Sequence, residues 1–275
     1  MPQVENAEEI RCLTATNPGY MTLRGTNQYL LGREEITVID VALGSDANLD
    51  GLLAEMEALG GSRITRILLT HIHMDHCGGA LALKQRTGAE VGISRVRAGH
   101  LGGEDFTYDE GDRIAYDGGE LEVVFTPGHE AGHCCFYERE KKILFSGDHI
   151  LGKGTTVVPA GEGNMAHYME SLEKLLSLDI DLLLPGHGPF VTEPMAKIRE
   201  YIDHRLMRED QILQGLRDGR HSIGDLVEVI YVDYPQALMR VAHSSVEAHL
   251  LKLVAEERVR REGDRYFLGQ GGGRV

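Results

Sequence analysis

The stretch THIHMDHCGG, residues 70–79, places three histidines and one aspartate within six consecutive positions and then ends on two glycines. Imidazole and carboxylate are ligands that zinc and similar divalent ions take in proteins. Side chains two apart in an extended segment point to the same side, so His71 and His73 are predicted to face one ion. Asp75 and His76 follow near the start of a predicted helix and face a neighbouring position. The stretch therefore predicts a metal site rather than a polar surface turn.

The same arrangement recurs three more times, each time where an apolar segment ends. VVFTPG is followed by His129, ILFSG by Asp148 and LLLPG by His187. In α/β folds, sites form beyond the carboxyl ends of strands, where loops converge. We therefore expect these three residues to lie beside the 71–76 cluster at one edge of a sheet.

The number of ligands predicts more than one ion. Five histidines and two aspartates exceed the needs of one tetrahedral ion, whereas two ions roughly 3.5–4 Å apart would use them all. Asp148 is predicted to bridge the two ions. The other ligands divide into His71, His73 and His129 for one ion and Asp75, His76 and His187 for the other.

The segments around these residues alternate between strand and helix patterns, which indicates an α/β fold with mixed sheets. Periodicity and turn residues predict strands at 63–70, 89–94, 118–127 and 180–186, hairpins at 29–44 and 133–147, and helices at 47–61, 78–88 and 167–179.

The pattern changes near residue 195, where a long charged helical stretch begins. A second helix is expected after the cap candidate Ser222, a third in SSVEAHLLKLVAEERV, and two short strands in VRREGDRYFLG. Three helices followed by a hairpin are typical of a winged helix. We therefore predict a catalytic domain over residues 1–200 and a winged-helix domain over 201–275, with a disordered tail, GQGGGRV.

Composition restricts the function classes further. The net charge of −15 disfavours non-specific binding of polyanions. The four cysteines form no CxxC pair, no apolar run is long enough for a membrane span, and the N-terminus has no secretory signal or transit peptide pattern. We expect a cytoplasmic protein with reduced thiols and no membrane association.

With HxHxDH intact, and with His129, Asp148 and His187 following in order, the chain resembles the metallo-β-lactamase superfamily. The resemblance implies an αβ/βα four-layer sandwich with the metals at one edge of its two sheets. It implies two divalent ions, with zinc expected. It also implies that Asp40, in TVID, orients a ligand histidine without binding an ion itself.

The segments NPGYMTLRGTNQYLLG (17–32) and SGDHILGKGTTVV (146–158), with the winged helix, look like the β-lactamase-like protein 2 branch. That branch includes an endoribonuclease of single-stranded RNA, and similar fungal proteins hydrolyse carrier-bound thioesters. The implied function is a hydrolase in which a hydroxide between two ions attacks the substrate. The substrate is either single-stranded RNA or a small or carrier-bound thioester, ester or lactone. Asp75 is the expected catalytic residue, and His133 and Lys153 are candidate substrate contacts.

Two other functions stay open at this point. A mononuclear iron enzyme of the same fold, such as a persulfide dioxygenase, would contain one iron per chain instead of two zincs. A non-catalytic winged-helix regulator is opposed by the intact ligand set. The winged helix could also form one wall of the active-site cleft or mediate a homodimer.

Overall fold

The computed structural model describes residues 9–60 and 62–269, and its chain divides into two compact units. Most of the N-terminal stretch examined for a signal, and the tail after Gly269, lie outside the described residues. The first unit comprises residues up to 126, 132–156 and 177–195, and the second comprises 127–131, 157–176 and 196 onward. Since these units are not continuous stretches, they do not test the predicted division at residue 200, which stays a prediction.

The first sheet of the first unit has six strands in chain order. Its first three strands are antiparallel neighbours, and the remaining strands continue in parallel from the third. The strands are β1 (Ile10–Thr14), β2 (Asn27–Leu31), β3 (Glu35–Ile39), β4 (Arg63–Leu68), β5 (Glu90–Ser94) and β6 (Phe106–Tyr108).

The second sheet has five strands in the order β11-β10-β9-β8-β7. Its strands pair antiparallel except for the parallel pair β10 and β11. They are β7 (Arg113–Tyr116), β8 (Gly119–Phe125), β9 (Cys134–Glu138), β10 (Ile143–Gly147) and β11 (Leu182–Pro185). A parallel pair brings the carboxyl ends of both strands to one edge of the sheet, and the segments carrying Asp148 and His187 leave from that edge.

Two apolar cores hold these layers together. One contains Tyr29, Phe136 and Phe145, together with other side chains from both sheets, so the sheets pack face to face. The second joins the opposite face of the first sheet to α1 (Asp46–Ala58) and α3 (Ala80–Thr87) through residues such as Leu52 and Leu83. Between β4 and α3 lies the single-turn helix α2 (Met74–Cys77).

The second unit contains four helices and a hairpin: α4 (Met165–Leu175), α5 (Pro194–Arg217), α6 (Ile223–Ile230), α7 (Met239–Ala255), β12 (Val259–Glu262) and β13 (Arg265–Leu268). Helix α6 begins with a capping box, in which the Ser222 hydroxyl accepts from the Asp225 N–H and the Asp225 carboxylate accepts from the Ser222 N–H. Leu213, Leu226 and Leu250 lie in a core shared by α5, α6, α7 and the hairpin. The predicted winged helix is confirmed.

The predicted α/β class is confirmed, and most predicted elements lie within a few residues of their expected bounds. One predicted helix, 78–88, is wrong in its start. The Gly79 N–H donates to the Val41 carbonyl, and α3 begins only at Ala80. Strands β1, β6 and β7 were not predicted. Within the described residues no helix has the length and apolar character needed to cross a bilayer.

Candidate metal centre

The HxHxDH segment follows β4 and carries four of the predicted ligands. His71 and His73 lie in extended chain, and His73 is the residue that precedes α2. Asp75 and His76 lie in α2 itself, and the ring centroid of His76 lies 4.2 Å from that of His71. His71 and His76 are buried, whereas His73 and Asp75 are partly exposed. The segment therefore carries both buried and partly exposed donor side chains.

The remaining predicted ligands follow strands of the second sheet. Asp148 comes directly after β10, His187 comes two residues after β11, and His129 lies in the loop between β8 and β9. Within the first unit, two sets of side chains have donor atoms that all lie within 4.8 Å of one another. They are His71, His76 and Asp148, and Asp75, His76 and His187.

Donor atoms of Asp75, His76, Asp148 and His187 lie close together. His76 Nε2 lies 3.2 Å from His187 Nε2, 3.2 Å from Asp148 Oδ1 and 3.9 Å from Asp75 Oδ2. His187 Nε2 lies 3.3 Å from both carboxylate oxygens. An ion held tetrahedrally at about 2.0–2.2 Å separates its ligand atoms by roughly 3.3–3.6 Å. Four of the five separations, 3.2 or 3.3 Å, are close to this range and suit a shared divalent ion.

The outer nitrogens of three histidines are occupied by acceptors. His187 Nδ1 lies 3.1 Å from the Gly25 carbonyl oxygen, and His129 Nδ1 lies 2.7 Å from the Val157 carbonyl oxygen. His76 Nδ1 lies 2.7 Å from Asp40 Oδ2. Each acceptor requires a proton on Nδ1, which leaves the Nε2 lone pair for an ion. This is the tautomer that a ligand histidine needs.

Asp40 lies directly after β3 in a conformation that aspartate seldom adopts. Its φ is +60°, in the left-handed region. The conformation brings the carboxylate, which is only 1% exposed, to His76 and to the backbone N–H of Thr70. These contacts are those required of a residue that orients a ligand histidine, and the role itself stays a prediction.

The carboxylates of Asp75 and Asp148 and the imidazoles of His76 and His187 shift one another's pKa values. Burial opposes protonation of His187, but Asp148 and Asp75 raise its pKa to about 9. His76 is fully buried, and Asp148 and Asp40 still hold its pKa well above the usual value. Burial would raise the pKa of Asp148, yet His76 and His187 hold it well below the usual value. Without an ion the set retains protons, which a bound ion must displace.

Two glycines leave room for this arrangement. A Cβ at Gly186 would lie 2.7 Å from His76 Cε1 and 2.8 Å from Asp148 Oδ1. A Cβ at Gly147 would lie 2.8 Å from His133 Nε2, and the φ of Gly147, +48°, disfavours side chains as well. Neither position can carry a side chain without displacing the predicted ligands or their neighbours.

The two candidate substrate contacts differ in their surroundings. His133 is fully buried, with Nδ1 2.9 Å from Thr126 Oγ1, and its Nε2 accepts from the Asp148 N–H at 3.2 Å. These contacts support Asp148. Lys153 is exposed and follows Gly152, whose N–H donates to the His187 carbonyl oxygen. The substrate contacts predicted for both residues stay predictions.

Two threonines that were not predicted to belong to the metal site support the centre. The Thr70 hydroxyl contacts Asp40 and His71, and the Thr156 hydroxyl donates to the Asp148 carbonyl oxygen at 2.8 Å. Thr70 could have been noticed because it directly precedes the motif. No local signal marks Thr156, which reaches Asp148 only because the intervening segment folds back.

Comparison with known proteins agrees with this geometry. Residues 21–187 match the metallo-beta-lactamase superfamily, and residues 222–269 match the beta-lactamase associated winged helix domain. The chain is 35% identical to a Beta-lactamase-like protein 2 homolog of Caenorhabditis elegans, over 92% of this chain and 89% of that protein. It is also 35% identical to the Atrochrysone carboxyl ACP thioesterase of Aspergillus fumigatus, over 76% of this chain and 66% of that protein.

Solved structures of low sequence identity have the same fold. A beta-lactamase domain protein from Burkholderia ambifaria superposes with a TM-score of 0.85 at 23% identity, over 96% of this chain and 92% of that chain. A metallo-beta-lactamase family protein from Thermus thermophilus superposes with a TM-score of 0.80 at 24% identity, over 94% of this chain and 98% of that chain. The match to the superfamily spans more than half of the sequence and includes all seven predicted ligand positions, with His187 as its last residue. The chain belongs to the metallo-β-lactamase superfamily, with a C-terminal winged-helix domain.

Proposed function

We propose that this protein is a hydrolase that uses two divalent ions, with zinc expected at both positions. The observation that carries the proposal is the set of short separations among donor atoms of Asp75, His76, Asp148 and His187, which fit one tetrahedral ion. His71, His73 and His129 are proposed to hold the other ion. Asp148 is close to donors of both groups and is proposed to bridge the ions.

The bound ions would supply water that is activated near neutral pH and positive charge that stabilises a developing oxyanion. The protein's own residues would do the rest. Asp75 is partly exposed at the centre, and its carboxylate is proposed to accept a hydrogen bond from the attacking water and so orient it. His133 and Thr156 hold the backbone of Asp148.

As substrate we propose an acyl thioester, small or carrier-bound. Water adds to the carbonyl carbon, the C–S bond breaks, and the sulfur leaves as a thiol with a proton from the water. The similarity to a carrier-protein thioesterase supports this class. So does the side chain of Met74, which is 72% exposed between His73 and Asp75 and offers apolar contact to an acyl group. The net charge of −15 favours a substrate other than a polyanion.

Single-stranded RNA is the second candidate substrate. It is favoured by the arginines of the β12–β13 hairpin, Arg260, Arg261 and Arg265, which are all exposed. Arg260 pairs with Glu262 and Arg261 pairs with Asp264, and these acidic neighbours weaken the attraction for phosphate. The cytoplasmic location and the homodimer stay predictions, and light scattering tests the latter.

The test combines metal analysis with a substrate panel. Purified protein of measured metal content is assayed with an acyl thioester, a lactone and single-stranded RNA at low and high salt. Thioester hydrolysis that changes little with salt is expected, whereas RNA cleavage that collapses with salt would favour the second candidate. One iron per chain would instead point to an oxygenase.

The same assay applied to Asp148→Ala tests the ligand assignment. We expect turnover to fall on the order of 10³-fold or more, with loss of bound metal and little change of fold. Asp179→Asn is the matched control, because Asp179 is an exposed carboxylate that pairs with Lys142. Undiminished turnover of Asp148→Ala with full metal content would refute the assignment.

A further inference from the structure

The hydroxyl of Thr70 lies between two groups of the metal centre. Its Oγ1 is 2.8 Å from Asp40 Oδ2 and 3.0 Å from His71 Nδ1, and the Thr70 N–H donates to Asp40 Oδ1 at 2.8 Å. Thr70 is 1% exposed. The hydroxyl therefore forms a buried link between a carboxylate and a predicted ligand.

The number of available protons determines the direction of each bond in this link. A carboxylate only accepts, so the single hydroxyl proton of Thr70 goes to Asp40. Thr70 Oγ1 can then only accept from His71, which must carry its proton on Nδ1. His71 Nε2 is left with its lone pair, and that atom lies 2.9 Å from His73 Nδ1, on the side of the first ligand group.

Asp40 extends the link to the other ligand group. Its Oδ2, which accepts from Thr70, also accepts from His76 Nδ1 at 2.7 Å. By the same rule, His76 presents Nε2, the atom 3.2 Å from His187 Nε2. One carboxylate thus sets the tautomer of a histidine in each group, directly for His76 and through Thr70 for His71.

We infer that Thr70 is a positioning residue that couples the two metal sites. The inference rests on the two-ion assignment of the proposed function. If the hydroxyl is removed, the Nδ1–H of His71 loses its acceptor, and the alternative tautomer places a proton on the metal-binding nitrogen. Asp40 also loses one of the donors that hold it against His76. Water cannot easily replace the hydroxyl, because a single Cβ at Gly147 would already lie 2.8 Å from Thr70 Oγ1.

The test measures metal binding rather than turnover. Metal-free wild-type, Thr70→Val and Thr70→Ser proteins are titrated with Zn²⁺ by calorimetry and with Co²⁺ by absorption. Thr70→Val keeps the side-chain shape but removes the hydroxyl, and we expect both binding constants to weaken roughly 10–100-fold, as when other groups that orient ligands are removed. Thr70→Ser keeps the hydroxyl and should bind within about 3-fold of wild type on both constants, an effect well below that of losing such a group.

Three outcomes would overturn the coupling: unchanged binding constants in Thr70→Val, weakening at one site alone, or equal weakening in Thr70→Ser. Wild-type protein that binds a single ion would refute the two-ion assignment itself, which separates the two failures. If Thr70→Val does not fold, long-range ¹H–¹⁵N spectra of zinc-loaded wild type provide a second test. The inference requires protonated Nδ1 and metal-bound Nε2 for both His71 and His76, and a protonated Nε2 on either would contradict it.

Discussion

Two buried clusters of charged and titratable side chains, one in each unit, differ in the source of their positive charge. In the metal centre, Asp40, Asp75 and Asp148 pair with imidazoles. In the winged-helix unit, Glu209 pairs with Lys252 at 2.8 Å and with Arg258 at 3.0 Å. Burying a carboxylate is costly unless a cation and hydrogen bonds compensate for the lost water.

The difference separates a binding site from a structural ion pair. Burial would raise the pKa of Glu209, but His249 and Lys252 lower it to about 2, so the carboxylate is ionised and compensated within the unit. In the metal centre, protons held on His76 and His187 contribute to the compensation. A divalent ion can replace those protons, whereas it has no such role beside Glu209. We therefore expect metal binding to stabilise the metal centre and to leave the Glu209 cluster unchanged.

Removing metal should give the largest effect. Prolonged treatment with a chelator is expected to abolish turnover and to lower the melting temperature, since a ligand present at 100 times its Kd stabilises a protein by about 2.7 kcal/mol. Hydrogen exchange should rise in α2 and around Asp148 but not around Glu209. Equal loss of protection at both clusters would remove the distinction between them.

Replacing the carboxylate of the second cluster should reduce stability without changing the metal content. Glu209→Gln removes the buried carboxylate that pairs with Lys252 and Arg258, although both retain their pairs with Glu256. We expect a loss of about 2–3 kcal/mol, because Arg258 also remains partly hydrated. Denaturant unfolding measures it. Glu200→Gln, which affects an exposed pair with Lys197, should change stability by less than about 0.5 kcal/mol.

Lowering the pH should further distinguish the Glu209 ion pair from the metal centre. The folded pKa of Glu209, about 2, lies below its usual 4.5, so the stability that it contributes is present above pH 4.5 and is lost as the pH falls towards 2. The Glu209→Gln protein should lack that part of the acid dependence. An identical dependence in both proteins would contradict the compensated ion pair.

A further expected effect is the pH dependence of metal affinity. Because the pKa of His187 is about 9 in the metal-free protein, an ion competes with a proton below that pH. For the proton displaced from His187, affinity should rise by up to about tenfold per pH unit, and this contribution should end above pH 9. Competition titrations from pH 6.5 upward, with calorimetry in buffers of different ionisation enthalpy, measure it. Affinity that is constant with pH, without proton release, would show that the centre is compensated in another way.

Local patterns in the sequence were sufficient for the α/β class, the winged helix and the grouping of ligands at strand ends. Apolar periodicity identifies strands, and the chain must leave a strand at its carboxyl end, so His71, Asp148 and His187 could be expected at a sheet edge before any coordinates were known. Strands β6 and β7 escaped prediction because they have only three and four residues, whereas the five-residue β1 is placed by pairing with β2 beyond an intervening loop.

What the sequence alone determined was the inventory of the site: which imidazoles and carboxylates are present, in what order, and after which strands. The tertiary structure decided how these groups are used. His76 meets His187 across 111 positions of the chain, and the Thr70 hydroxyl meets Asp40 across 30. Such contacts depend on sheet register and on backbone conformations such as that of Asp40. Local periodicity carries no information about either, because it reports which face a residue takes and not which distant atom it will meet.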